Sequence, residues 1–207
     1  MKLDPTALFQ ISYGLYVLTS HDGQRDCGCI VNSVMQLTET PLRLAVSVNK
    51  KNHTTDAIER SGIFNLSILS EKATMDVFRR FGFQSGRDVD KFAGSDEPLS
   101  DNELRYLPEV SNALLSGKVE QVIDCGTHLL FIAEVTQAEN LSKDPSMTYS
   151  YYHANVKPKK KPAETEKPRR GYVCRICGHF HEGDELPEDF ICPICKHGAA
   201  DFEPVGF

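Results

Sequence analysis

Four cysteines near the end of this 207-residue chain constrain its fold more than any other feature. Cys174 and Cys177 form one C-x-x-C pair, Cys192 and Cys195 form a second, and fourteen residues separate the two pairs. Two such pairs can bring four soft thiolate ligands to one ion, whereas a single pair would equally suit a redox dithiol. Thiolates in tetrahedral geometry select zinc or iron. The spacing therefore predicts a four-cysteine metal site, in which iron would carry electrons and zinc would only hold the fold together.

The segment that contains these cysteines, residues 171–207, is too short to fold on its own apolar core. Ordering a chain costs about 1.5 kcal/mol per residue, and a core this small offsets that cost only marginally. A metal ion held by four thiolates contributes about 10 kcal/mol or more to a small domain. We therefore expect metal binding and folding of this segment to be a single event.

The residues around the ligands narrow the choice of metal. The relevant stretches are Tyr172-Val-Cys-Arg-Ile-Cys-Gly178, Leu186-Pro-Glu-Asp-Phe190, Cys192-Pro-Ile-Cys195 and Asp201-Phe-Glu203. Together they resemble rubredoxin, and the short distance between the cysteine pairs resembles the rubredoxin module of rubrerythrins. Lys196 departs from the pattern, because a second glycine usually follows the last cysteine. The resemblance implies one iron ion bound by the four cysteines.

The charge of the chain changes sign in one short stretch. Residues 1–155 carry fourteen Lys/Arg against twenty Asp/Glu, residues 156–170 carry seven against two, and residues 171–207 carry two against seven. The middle stretch is rich in Pro and Lys and poor in apolar residues, so it cannot pack and predicts a flexible basic linker. Because both flanking domains are acidic and would repel phosphates, we interpret this stretch as a tether rather than a nucleic-acid arm.

The first 155 residues are predicted to be mainly β. Segments rich in β-branched and aromatic residues alternate with turns, which suggests a barrel of short strands. The predicted strands are 11–20, 26–37, 42–49, 63–69, 118–125 and 128–137, and the predicted helices are 55–60 and 73–81.

No apolar run approaches the roughly 20 residues that span a bilayer, and no signal peptide is recognisable, so we predict a cytoplasmic protein without a membrane partner. Cys27, Cys29 and Cys125 remain as an odd set, which fits a reducing compartment. The C-x-C spacing of Cys27 and Cys29 would suit a redox or metal pair, but we interpret both as small, half-buried strand residues.

One turn has the composition of an anion site. Asn49, Lys50, Asn52 and Thr54 supply amides, an ammonium and a hydroxyl just before a predicted helix, whose first N–H groups favour a phosphate. The same residues are also ordinary helix caps. The chain has neither a G-x-G-x-x-G fingerprint nor a P-loop, so the usual nucleotide cradles are missing.

The order of several short pieces resembles the flavin reductase family, the FMN-binding split barrels. The pieces are 14–20, 32–36, Pro41, 47–54, 61–69 and 127–131. The resemblance covers about residues 5–155 and implies a six-stranded barrel without a Rossmann domain. It also implies a homodimer with FMN at the boundary between the subunits.

The resemblance assigns roles to individual residues. Asn32, Ser33 and the backbone near Cys29 would face the isoalloxazine edge of the flavin. His128 falls where the family commonly has a histidine near the flavin and the nicotinamide, although Thr127 replaces the usual preceding aspartate. The residues that would hold the ribityl chain and the phosphate are Ser47, Asn49, Lys50, Asn52 and Thr54.

The two resemblances constrain each other. NADH or NADPH gives up two electrons as a hydride, whereas a one-iron centre accepts one, and a flavin can convert between the two. A flavin domain joined to the four-cysteine module therefore favours iron over zinc. The chain as a whole resembles the high-molecular-weight rubredoxins, which implies electron transfer to a flavodiiron protein that reduces O2 or NO.

Two other functions stay open at this point. In one, the barrel releases free reduced flavin to a separate oxygenase. In the other, the barrel binds FMN without catalysis and the tail is a structural zinc ribbon.

Overall fold

The computed structural model describes residues 3–158 and 170–206, and these residues form two separate antiparallel β-sheets. A seven-stranded sheet belongs to the first part of the chain and a three-stranded sheet to the cysteine-rich part. The prediction of a mainly β fold with a small second domain is confirmed. Most of the predicted linker, residues 159–169, lies outside the described residues.

The large sheet contains strands β1 to β7. Their bounds are β1 Tyr16–His21, β2 Asp26–Val31, β3 Val34–Thr38, β4 Arg43–Asn49, β5 Ile63–Leu69, β6 Ser111–Asp124 and β7 His128–Asn140.

The order of strands in this sheet is β2-β1-β5-β6-β7-β4-β3. The consecutive strands β2 and β3 therefore lie at opposite edges and are joined through Asn32 and Ser33. Side chains from both halves of the sheet meet in one buried cluster, including Leu18, Phe64 and Phe131. A sheet whose distant strands share one core must curl around it, which gives a barrel that is open between β2 and β3.

Two helices pack against this sheet, α1 His53–Ser61 and α2 Met75–Gly82. Helix α1 ends at Gly62, whose φ of 70° is the left-handed conformation that glycine adopts at little cost. Helix α2 buries Phe78 and Phe81 in a second core cluster. The other helical segments described before residue 159 are the 3-10 helices Pro5–Gln10 and Pro108–Val110, the α-turn Tyr149–Tyr151 and the π-helical segment Tyr152–Val156.

The small sheet has the order β10-β8-β9, and its core is slight. Its strands are β8 Gly171–Cys174, β9 Phe180–Glu182 and β10 Phe202–Val205, and a 3-10 helix Ala199–Asp201 precedes the last. A Cβ atom on Gly171 would lie 2.3 Å from the carbonyl oxygen of His181, so β8 and β9 can approach only with glycine there. Within the described ranges, no helix is long and apolar enough to cross a bilayer.

The sequence predictions need three corrections in the large sheet. The stretch 26–37 is two strands rather than one, because the chain turns at Asn32–Ser33, and this makes seven strands instead of six. The first strand begins at Tyr16 rather than Ile11, since a 3-10 helix occupies Pro5–Gln10. Strand β6 begins at Ser111 rather than Lys118, because its pairing with β5 extends that far.

Candidate functional site

The four cysteines predicted as metal ligands come together in the small domain. Their sulfur atoms all lie within 4.8 Å of one another, and Cys174–Cys195 and Cys177–Cys192 are each 3.5 Å apart. Disulfide sulfurs would be about 2.0 Å apart. Four ligands at about 2.3 Å from a central ion would have sulfurs roughly 3.8 Å apart in a tetrahedron. The four sulfurs therefore fit one tetrahedral metal ion.

Two turns with the same hydrogen bonds present these ligands. The amide of Gly178 donates to the carbonyl of Cys174 at 2.8 Å, and the amide of Lys196 donates to that of Cys192 at 2.9 Å. Gly178 has φ 78° and Lys196 has φ 61°, so both turns need the left-handed conformation. Lysine adopts it at a cost of about 1 kcal/mol, and the departure at position 196 leaves the turn intact.

Backbone amides also point at the sulfurs. The amide of His179 donates to Cys177, and the amide of His197 donates to Cys195. Burial would raise the pKa of Cys192, but the amides of Cys195 and Ile194 outweigh burial and lower it. Burial together with the neighbouring sulfurs raises the pKa of Cys177 to about 11. Such amides stabilise negative charge on a bound thiolate cluster and raise its reduction potential.

The metal site is open on one side. Cys174 and Cys192 are buried, whereas Cys177 and Cys195 are partly exposed. Ile176 and Ile194 beside them are 39% and 45% exposed. A protein that docks on this apolar surface would meet the metal ligands directly.

In the large sheet, the pairing of β4 with β7 brings the candidate catalytic residue to the predicted flavin residues. Asn49 lies directly opposite His128, and Ser47 lies opposite Leu130. The amide of Lys50 donates to the carbonyl of Thr127 at 3.1 Å. The hydroxyl of Thr127 and Nδ1 of His128 are 2.9 Å apart. Residues far apart in sequence therefore form one side of a common site.

The turn before α1 leaves donors available for an anion. The side chain of Asn49 accepts from the amide of Lys51 at 2.9 Å and holds the turn, while the Asn52 side chain makes no capping bond to α1. The first N–H groups of the helix are thus free of a side-chain cap. Lys50 Nζ lies 2.7 Å from Asp124 Oδ1, and this exposed pair would have to open for the ammonium to bind a phosphate.

The other predicted flavin residues adjoin this turn. The thiol of Cys29 is within hydrogen-bond reach of Thr54 and Asn52, and the amide of Ser47 donates to the carbonyl of Ser33 at 2.9 Å. Asn32 Oδ1 accepts from the Ser33 hydroxyl at 3.1 Å. The predicted residues thus line one continuous region across β2, β3, β4 and α1.

The buried thiols of β2 are unsuited to acting as nucleophiles. Burial raises the pKa of Cys29, and burial together with the neighbouring Cys29 raises the pKa of Cys27 to about 12. Both residues are almost fully buried in the barrel domain. They are strand residues, as we expected, but they are buried rather than half-buried.

Sequence reasoning missed two features beside this region, a buried His–Asp hydrogen bond and a buried lysine. His53 Nε2 lies 2.9 Å from Asp22 Oδ2, with both side chains almost buried. Lys91 is buried against β2 and α2. No local pattern marks these residues, because each partner lies far away in the sequence.

Comparison with known proteins finds a family match for each of the two parts of the chain. Residues 8–160 match the flavin reductase like domain family, and residues 172–203 match the rubredoxin-like domain of rubrerythrin. The chain is 37% identical to a high molecular weight rubredoxin of Moorella thermoacetica in an alignment that covers 98% of this chain and 100% of that protein.

The barrel part also resembles proteins without the second domain. It is 38% identical to a ferric-chelate reductase (NAD(P)H) of Archaeoglobus fulgidus over 76% of this chain and 93% of that protein. The structure of an NADH:FAD oxidoreductase from Streptomyces globisporus matches with a TM-score of 0.61 at 20% identity, over 72% of this chain and 92% of that one. This last match supports the fold alone.

Proposed function

This chain belongs to the flavin reductase-like family and carries a rubredoxin-like domain, and from that premise we propose that it relays electrons from NAD(P)H through FMN to one iron ion and on to a protein acceptor. It is an electron-transfer oxidoreductase whose cofactors are FMN and iron. The observation that carries the proposal is a flavin domain joined in one chain to four sulfur atoms within 4.8 Å of one another. FMN supplies the conversion from paired to single electrons that such a relay needs.

We assign the FMN phosphate to the turn before α1. Asn52 offers an amide there, beside helix N–H groups without a side-chain cap, while Thr54 is buried with its hydroxyl in reach of Cys29 and would serve only if that contact opened. Lys50 would neutralise phosphate charge once it leaves Asp124. Ser47 and Asn49 on β4 would hold the ribityl chain. This donor set suits an anion followed by a polyol.

We assign the isoalloxazine edge to the open side of the barrel. Asn32 and Ser33 lie where the chain passes from β2 to β3, and the backbone near Cys29 runs beside them. Amide groups there can hydrogen-bond the polar edge of the ring. His128 lies opposite Asn49 and would position the nicotinamide of NAD(P)H at the same place.

The proposal includes a homodimer. Opposite residues in an antiparallel pair point to the same face, so Asn49, His128, Ser47 and Leu130 share the outer face of the sheet. Ile123 lies opposite Leu130 and therefore extends that face. Exposed apolar side chains continue nearby: Met35 is 58% exposed and Ile123 is 36% exposed. A second copy seated on this face would cover apolar surface and close over the flavin site.

In the small domain, the four cysteines would hold iron and their surroundings would set its potential. The amides of His179 and His197 donate to ligand sulfurs and would stabilise the reduced centre. Cys177 and Cys195 lie on the open side, where an electron can enter or leave over a short distance.

We propose a flavodiiron protein that reduces O2 or NO as the acceptor. Five exposed acidic residues belong to the same small domain as the metal site: Glu182, Asp184, Glu185, Glu188 and Asp189. They would direct the domain to a basic surface, mainly by increasing the rate of association.

The test is anaerobic addition of NADH to purified protein while flavin and iron absorption are followed together. We expect the flavin band to bleach first and the iron band to follow without an added mediator. Bleaching of the flavin with no reduction of the iron would overturn the relay and favour release of reduced flavin to another protein. A protein that contains zinc has no visible iron band and excludes the relay. Bleaching of its flavin by NADH would then favour release of reduced flavin, and no bleaching would favour FMN binding without catalysis.

A Cys192→Ser variant is the matched control. It removes one metal ligand but none of the proposed flavin residues. We expect its flavin to bleach with NADH at the normal rate while the iron band is lost.

A further inference from the structure

Lys91 is a buried cation in the barrel domain. It is 6% exposed, and its Nζ donates to the carbonyl oxygens of Gly28 at 2.8 Å and Phe81 at 3.1 Å. Among the residues that the structure describes, no carboxylate forms an ion pair with it. Burial lowers the pKa of Lys91.

An unpaired ammonium in such a place is costly. Taking a charge out of water costs several kcal/mol unless an opposite charge compensates, and here two neutral carbonyls are the only hydrogen-bond acceptors described. A hydrocarbon side chain of similar length would avoid the cost of the charge, although it would remove this donor from both carbonyls. The charge itself is therefore the feature that needs an explanation.

The two carbonyls place the ammonium between an edge strand and a helix end. Gly28 belongs to β2, which has a partner on one side only, and Phe81 lies at the end of α2, where the helix dipole favours a cation. A Cβ on Gly28 would lie 3.1 Å from both the Phe81 ring and the Leu18 carbonyl oxygen. Glycine thus lets α2 approach β2 and seals the charge from water.

The carbonyl that Lys91 contacts adjoins the backbone of the proposed flavin site. Gly28 precedes Cys29, whose thiol is within hydrogen-bond reach of Asn52 and Thr54. Lys91 Nζ lies 2.8 Å from the carbonyl oxygen of Gly28, which is bonded directly to the amide of Cys29, and charges interact strongly in a buried place with little screening. The Lys91 ammonium is therefore one residue away from the backbone that we assign to the flavin ring.

We propose that Lys91 is a positioning residue that raises the reduction potential of the bound flavin through its fixed charge. The inference rests on the proposed function, since it assumes FMN at this site. When the C–H bond of NAD(P)H breaks, a hydride carries two electrons and one proton to the flavin, so one negative charge enters the ring and NAD(P)+ leaves. A fixed cation in a dry site stabilises that incoming charge, whereas oxidised FMN gains little from it.

The experiment measures the two-electron midpoint potential of FMN in the full-length protein with iron bound. Lys91→Met removes the charge and the hydrogen bonds, Lys91→Gln removes the charge but keeps a donor, and Lys91→Arg keeps the charge. We expect Lys91→Met and Lys91→Gln to weaken the binding of reduced FMN relative to oxidised FMN about tenfold, which lowers the potential by about 30 mV. Lys91→Arg should leave the potential unchanged.

Lys72→Met is the matched control, because Lys72 is an exposed lysine paired with Asp144. Its potential should equal that of the unmodified protein. An unchanged potential in Lys91→Gln overturns the inference, even if Lys91→Met lowers it or fails to fold, since the effect would then come from packing. Failure of the unmodified protein to bind FMN would instead overturn the proposed function.

Discussion

Asp22 and His53 form a hydrogen-bonded pair that joins the β1–β2 turn to the first residue of α1. Their side chains are 10% and 12% exposed. Asp22 Oδ1 also accepts from the amides of Gln24 and Arg25 at 2.8 and 3.0 Å. Burial alone would raise the pKa of Asp22, but the bonds from His53 and the two amides outweigh it and hold the pKa well below its usual range. The pair thereby fixes the helix end that we assign to the FMN phosphate.

The stability that this pair contributes should depend on pH. Because folding lowers the pKa of Asp22, the contribution is complete above the unfolded value of about 3.9 and is lost as the pH falls below it. We expect Asp22→Asn to lower the free energy of unfolding by about 1–3 kcal/mol at pH 7, with the difference narrowing between about pH 4 and pH 2. Urea unfolding of both proteins at several pH values measures it.

Asp76→Asn serves as the control, because Asp76 is 80% exposed in its pair with Arg79. It should change stability little at any pH. A difference between Asp22→Asn and the unmodified protein that stays constant down to pH 2 would contradict the role of the charge.

The sequence predicts some contacts between functional residues but not others. Asn49 to Thr54 form one turn, so their proximity follows from the chain itself. Asp22 and His53 are 31 residues apart and Lys91 and Gly28 are 63 apart, so only the folded sheet and helices bring them together. The metal ligands could be predicted because their spacing is itself the signal.

At the level of elements, the sequence predicts the strands that are bounded by turns. Strand β5 has the predicted bounds 63–69, because Gly62 marks its start. The break between β2 and β3 was missed, because only two polar residues, Asn32 and Ser33, separate the two strands and apolar residues resume directly after them. Only the strand order explains why the chain turns there, because the two halves belong to opposite edges of the sheet.

The outer face of β3, β4, β6 and β7 should mediate self-association. We expect Ile123→Asp to shift the protein from dimer to monomer and to weaken FMN binding at least tenfold, because the charge would be buried between the copies. Sedimentation measures the first effect and fluorescence titration of FMN the second. Leu99→Asp is the control, since Leu99 is 57% exposed outside these strands. A monomeric unmodified protein that binds FMN tightly would contradict the dimer.

At the level of the whole molecule, the two domains have no β-sheet or core cluster in common among the described residues. The large sheet and the small sheet are separate, and the cluster around the cysteines contains residues of the small domain alone. Each domain can therefore keep its own cofactor independently. Met75 and Phe83 of the first part line a cavity together with Cys174 and Cys177 of the second. Because no shared sheet or core cluster fixes that contact, their electron transfer should depend on the linker that the sequence predicts.

Cutting the linker should separate the two steps of the relay. A protease site inserted between Glu164 and Thr165 allows cleavage after purification. We expect flavin reduction by NADH to stay unchanged, while iron reduction slows and becomes proportional to protein concentration, because a short tether provides an effective concentration of about 1 mM. Stopped-flow absorption at several dilutions measures both steps, and uncut protein with the insertion is the control. Iron reduction that is equally fast after cutting at micromolar concentration would contradict a tethered relay.

The slight core of the small domain has a consequence for how such a chain matures. With Cys174, Cys192 and Phe202 as its buried cluster, this end can close only around its ion, whereas the barrel has an extensive interior of its own. In a newly synthesised chain the barrel would fold first, and the C-terminal segment would stay unfolded and open to proteolysis until iron binds. The abundance of complete molecules would then follow iron supply, without any change in gene expression.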